Sequence, residues 1–101
     1  MRSGTCYAVD GEINEIIIPE GVKTIENLAI YEEGGQMTTI KIPSTVTTIE
    51  NDAISALGLT TIVNKTGRKF DWNAIINGTS GTEFETGTVN DGGRIITITN
   101  K

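Results

Sequence analysis

The sequence predicts a short solenoid, α/β or mainly β, closed at its C-terminal end by a helix and a β-hairpin. Three observations predict it. Residues 15–30 (EIIIPEGVKTIENLAI) and 39–54 (TIKIPSTVTTIENDAI) agree at ten of sixteen positions when laid over each other at an offset of 24. A degenerate third copy follows, because MTTIKIP (37–43) aligns with LTTIVNK (59–65) at an offset of 22. Repeats of about 20–29 residues belong to units that cannot bury their apolar side alone and must stack on neighbours. The composition agrees: 12 Gly, 2 Pro and 5% aromatics, with Ile, Val and Thr leading the repeats, suit strands and turns more than long helices.

One domain is expected, with a lead-in at 1–14, repeats at 15–38 and 39–58, a degenerate repeat at 59–69 and a cap at 70–101. Each repeat opens on a two-residue period, Ile16 and Ile18 around Ile17, Ile40 and Ile42 around Lys41, which reads as a strand with one face inward. Pro19 and Pro43 end these strands because proline cannot donate to a ladder. Val22 and Val46, then Ile25 and Ile49, return the chain to the stack, so these eight Ile and Val side chains should form one core. Asn27 or Leu28, and Asn51 or Asp52, occupy natural N-cap positions. They predict short helical turns running to Gly34 and Gly58, with Gly35-Gln36 as a loop insertion. In the tail, Phe70–Asn77 before Gly78 predicts a helix beginning near Asp71. Asn90-Asp-Gly-Gly93 between two β-prone runs predicts a hairpin whose second strand is Arg94–Thr99. Trp72, beside Phe70, Ile75 and Ile76, reads as packed core of this cap, and Arg94 as dispensable. The cap should cover the open edge that a last unit would otherwise expose.

The unit Ile-x-Ile-Pro-x-x-Val-x-x-Ile-x-x-x-Ala resembles the BspA-like class of leucine-rich repeats over about residues 13–66. Members of that class usually carry Gly after the second Ile and Phe after the Ala, where this chain has Glu26/Glu50 and Ile30/Ile54. The resemblance implies a right-handed leucine-rich-repeat solenoid at the surface of a bacterium, acting in adhesion or surface binding.

Candidates for chemistry are few. With no His and one Cys, the chain offers no Ser-His-Asp or Cys-His dyad, no histidine metal site and no intrachain disulfide. Cys6 has only Arg2 as a nearby cation, so it reads as an ordinary thiol. Glu26 and Glu50, one unit apart, should lie about 5 Å from each other and read as solvated or capping carboxylates. Asn90-Asp-Gly-Gly lacks the other ligands of a calcium loop. No phosphate-binding glycine motif is present, and no cofactor or metal is expected. The net charge of −5 and eight scattered basic residues argue against nucleic acid, and no run of about 18 apolar residues suggests membrane insertion. The segment Met1–Val9 lacks an apolar core and reads as no signal peptide. Two glycosylation sequons, Asn64-Lys-Thr66 and Asn77-Gly-Thr79, are what a Thr-rich chain contains by chance. Tyr31, together with the repeated Thr24, Thr48, Thr39 and Thr61, is the candidate binding surface. The functional expectation is a monomeric, non-catalytic binding or adhesion module outside the cell, a piece of a larger protein, whose partner is a protein or glycan. The alternatives are a structural spacer or capping domain, and an enzyme working through carboxylates alone, such as a glycosidase.

Overall fold

The computed structural model describes residues 14–32, 35 and 37–101. The lead-in with Cys6, and the expected stop at Gly34, lie outside the described residues. The first repeat contributes β1 (Glu15–Ile17), β2 (Thr24–Ile25) and β3 (Ile30–Glu32). The second contributes β4 (Thr39–Ile42), β5 (Thr48–Ile49) and β6 (Ile54–Ala56). Each strand pairs in parallel with its counterpart at the offset of 24: Ile16 with Ile40, Ile25 with Ile49, Ile30 with Ile54. β7 (Thr61–Asn64) continues the first sheet at the offset of 22, with Thr39 opposite Thr61. Near-identical segments pair in this register because it sets every inward isoleucine on its own copy.

The hairpin of β8 (Gly87–Asp91) and β9 (Arg94–Thr99) completes that sheet, in the order β1-β4-β7-β9-β8. β9 runs parallel to β7, so Ile16, Ile40, Ile62 and Ile98 form one inward row, 6%, 0%, 0% and 2% exposed. Gly92 and Gly93 form the two-residue turn, both at positive φ (65° and 94°), as the primed hairpin turn requires. The turn explains Asn90 too, whose side chain accepts from the Gly93 N–H at 2.8 Å. Six of the eight predicted core residues are buried in the core, and the other two, Val22 and Ile49, lie half-buried against it.

The expected helical turns of the repeats are corrected to strands: Ile30–Glu32 and Ile54–Ala56 are β3 and β6. Leu28 and Asp52 sit at φ 56° and 58°, a left-handed turn that cannot begin a helix. The neighbouring unit then takes the backbone donors, Leu28 N–H to the Asp52 carbonyl at 2.9 Å and Ile30 N–H to the Ala53 carbonyl at 3.0 Å. An isolated helical turn of this length has no comparable source of stability.

The helix appears one unit later. α1 (Trp72–Asn77) lies against β6, and its Ala74 carbonyl accepts from the Asp52 N–H at 2.9 Å, where a third unit would have presented a strand. Asp71 caps its N-terminus and Gly78, at φ 76°, its C-terminus. Trp72 is fully buried, donates its indole N–H to the Phe84 carbonyl at 2.9 Å and meets Phe70 edge-to-face at 5.5 Å.

Two residues do more than the repeat pattern suggests. Asn64 stands opposite Ile42 and is fully buried. Its amide donates to the Arg68 and Glu85 carbonyls, each at 3.1 Å, and its oxygen accepts from the Thr66 N–H (3.1 Å) and hydroxyl (2.6 Å). Arg94, read from the sequence as dispensable, is engaged by three groups. Its guanidinium donates to the carbonyls of Ala56 (2.6 Å) and Leu57 and pairs with Asp91 at 2.8 Å, tying the hairpin to β6.

Candidate functional site

The five predicted surface residues fall on three different sheets. Thr39 and Thr61 are neighbours on β4 and β7, in a row with Glu15, Thr97 and Thr88. Thr24 and Thr48 pair on β2 and β5, while Tyr31 lies on β3 beside Ser55. The structure therefore groups the threonines in two pairs and leaves Tyr31 apart from both.

A structural role accounts for much of the threonine repetition. In three Thr-Thr-Ile tripeptides both Thr N–H groups converge on one carbonyl of the preceding strand or unit. Thr38 and Thr39 bind the Asn14 carbonyl (2.9 and 3.2 Å), Thr47 and Thr48 that of Lys23 (2.8 and 3.2 Å), Thr60 and Thr61 that of Thr38 (2.9 and 3.0 Å). The first hydroxyl of each pair joins the same carbonyl at 3.2, 3.3 and 3.3 Å. These threonines clasp unit to unit. Glu50 works similarly: its carboxylate accepts the Asn27 N–H at 3.0 Å, joining the two units where no helix exists to cap, and Asn27's amide donates to the Asn51 carbonyl at 2.9 Å.

Ser55, the strand partner of Tyr31, lines a surface cleft of about 310 Å³ together with Asn27, Leu28, Asp52, Ile54 and Ile76. Two left-handed turns shape it, since φ near 57° at Leu28 and Asp52 turns both side chains out of the stack. β6 supplies Ser55 on its outward face, and the last turn of α1 supplies Ile76. Leu28 and Tyr31 are 45% and 39% exposed, a notable apolar surface on so small a protein. The Asp52 carboxylate rests against Gly78, whose φ of 76° is the left-handed conformation that favours glycine at the end of α1. Among the described residues nothing pairs with the Asp52 carboxylate or the Ser55 hydroxyl. A size near 300 Å³ with a few convergent polar groups is at the lower end of small-ligand sites.

Sequence reasoning named Tyr31, the neighbour of Ser55, and missed the cleft itself, although a signal was there. Positions where the copies agree are the stacking ones, and Leu28/Asp52 and Tyr31/Ser55 are positions where they differ. A side chain that need not match its neighbour in the stack is available for something else.

Two other surfaces are less suited. A groove of about 220 Å³ runs along Ile17, Pro19, Pro43 and Lys41, with Lys41 paired to Glu15 at 3.5 Å and Lys65 bonded to the Asn100 carbonyl at 3.4 Å. Asp71 is the one described carboxylate held clearly below its ordinary range. The backbone N–H of Gly81 contributes most to this, followed by that of Ala74, and Ser80 also donates to it. Its oxygens are engaged in holding α1 and the following loop, which is a structural use. Among the described residues no group of three or more His, Cys, Asp or Glu side chains could hold a metal ion. No described helix is long and apolar enough to cross a membrane. Comparison with protein-family models, curated proteins and solved structures finds no match.

Proposed function

We propose that this chain is a short stretch of leucine-rich-repeat solenoid of the BspA-like kind, serving outside a bacterial cell as a non-catalytic binding module. The cleft lined by Leu28, Asp52 and Ser55 is its binding surface. The solenoid reading is supported by parallel pairing of successive repeats at offsets of 24 and 22 and by the Thr-Thr clasp that recurs between them. The observation that carries the binding reading is the cleft itself. Exposed Leu28 stands beside an Asp52 carboxylate and a Ser55 hydroxyl that have no partner among the described residues. The non-catalytic reading is supported by the groups at hand: a chain without His, and a single carboxylate, Asp52, among the cleft's lining residues. Carboxylate-only glycoside hydrolysis needs two carboxyls about 5–10 Å apart across the substrate. The partner is a macromolecule at a surface, met by a monomer.

The test is retention on an array of immobilised glycans and peptides, comparing the unmodified protein with Ser55→Trp, which fills the cleft, and Thr61→Trp, which alters the opposite sheet. Retention should be lost in the first variant and kept in the second. Equal retention by Ser55→Trp would refute the cleft, and a blank array would favour the spacer reading. Release of reducing ends from any arrayed polysaccharide would refute the non-catalytic reading.

A further inference from the structure

We propose that the cleft receives the basic side chain of a protein partner, an arginine above all; the inference rests on the cleft being the binding surface. The lining is rich in acceptors and poor in donors. Asp52 presents a carboxylate without a described partner, and Asn27 already directs its amide N–H to the Asn51 carbonyl. The segments that wall the cleft, 24–32, 48–56 and 72–79, carry Glu26, Glu32, Glu50 and Asp52 but no lysine or arginine. The last turn of α1, whose carbonyl ends favour a cation, has no basic residue either. Leu28 adds an exposed apolar side chain, against which the aliphatic stem of an arginine can lie. An anion would be repelled here, and a neutral ligand would leave the Asp52 charge uncompensated.

The molecule carries its own precedent. Ile54, Ser55 and Ile76 line not only this cleft but an adjoining one, and there the protein's Arg94 is already in place. Its guanidinium lies between the Asp91 carboxylate and the carbonyls of Ala56 and Leu57. One trough between β6 and α1 thus has two ends. At one, a carboxylate and backbone acceptors hold an arginine. At the other, Asp52 offers a carboxylate with no described cation. Charge-assisted, planar recognition of this kind is what arginine does better than lysine. The overall charge of −5 would draw a basic partner toward it.

The experiment is an NMR titration of the whole chain with acetyl-Gly-Arg-Gly-amide and with its citrulline counterpart, which keeps the shape and hydrogen-bonding plane but not the charge. Neutral oligosaccharides form a third arm. The arginine peptide should give saturable shifts and bind at least about tenfold more tightly than the citrulline peptide, a difference of about 1.4 kcal/mol. Asp52→Asn should remove that preference, and asparagine accepts the left-handed turn at this position. Glu20→Gln, which removes one charge elsewhere, should leave it intact. Equal binding of the two peptides, or an unchanged preference in Asp52→Asn, overturns the inference. Shifts at Asp52 and Ser55 with an oligosaccharide alone overturn the cation and leave the cleft standing as a binding surface. Silence in all three arms overturns both.

Discussion

Repeat logic and the structure make opposite predictions for Asn64→Ile. Position 64 stands where the first two units carry Ile18 and Ile42, so the substitution restores the consensus of the stack and should help if the third unit is merely decayed. The structure predicts harm. Asn64 is fully buried and makes four hydrogen bonds that join β7 to the 66–68 turn and to Glu85. Losing four bonds at about 1 kcal/mol each removes about 4 kcal/mol, since the two carbonyls and the Thr66 donors are left without partners. Burying an isoleucine in exchange returns about 2 kcal/mol. The net loss of about 2 kcal/mol should lower a urea midpoint by about 1 M with an unchanged slope. A midpoint that stays or rises would refute the reasoning, and would mean that the chain beyond β7 can follow the repeat without this side chain.

Ile42→Ala should cost about 2–4 kcal/mol in the same melt, as truncation of a fully buried isoleucine does; under half that would show the stack to be looser than its register implies. Arg94→Ala should cost about 2 kcal/mol, from charged hydrogen bonds that are only partly screened, and a silent substitution would show the link between hairpin and β6 to be idle. The folded-state pKa of Asp71 is depressed, so its contribution is complete above the unfolded value of 3.8 and fades as pH falls through the lower folded value. Acid melts of Asp71→Asn should therefore draw together with those of the unmodified protein as the pH falls below 3.8, and a constant gap at all pH values would contradict this.

The legible part of this fold was the part written twice. Ten identities at a fixed offset imposed the register, and the Ile and Val positions followed, because parallel stacking rewards a residue for matching its copy. Asp71 and Gly78 marked α1 by ordinary capping chemistry, and Asn90-Asp-Gly-Gly the hairpin. The misread segments were 27–32 and 51–56. There local capping signals competed with hydrogen bonds from the adjacent unit, and the latter prevailed through a left-handed turn at Leu28 and Asp52. Single-segment reading cannot weigh a donor that arrives from 24 residues away. Threonine repetition suggested a surface of stacked threonines, and the clasp accounts for much of it, since the Thr38, Thr47 and Thr60 hydroxyls and the N–H groups of Thr39, Thr48 and Thr61 join unit to unit. The cleft escaped notice for the converse reason, since it is assembled where the copies disagree and from a helix that the repeat does not contain.

The proposed function places binding at this cleft and not on the threonine-bearing sheet. A map of backbone amide shifts on saturation with the ligand best retained on the array decides between the two. Binding at the cleft should give the largest shifts at Asn27, Leu28, Asp52, Ser55 and Ile76, with Thr39, Thr61 and Thr97 unmoved. The reverse pattern, with the largest shifts across the row from Glu15 through Thr97, would contradict it.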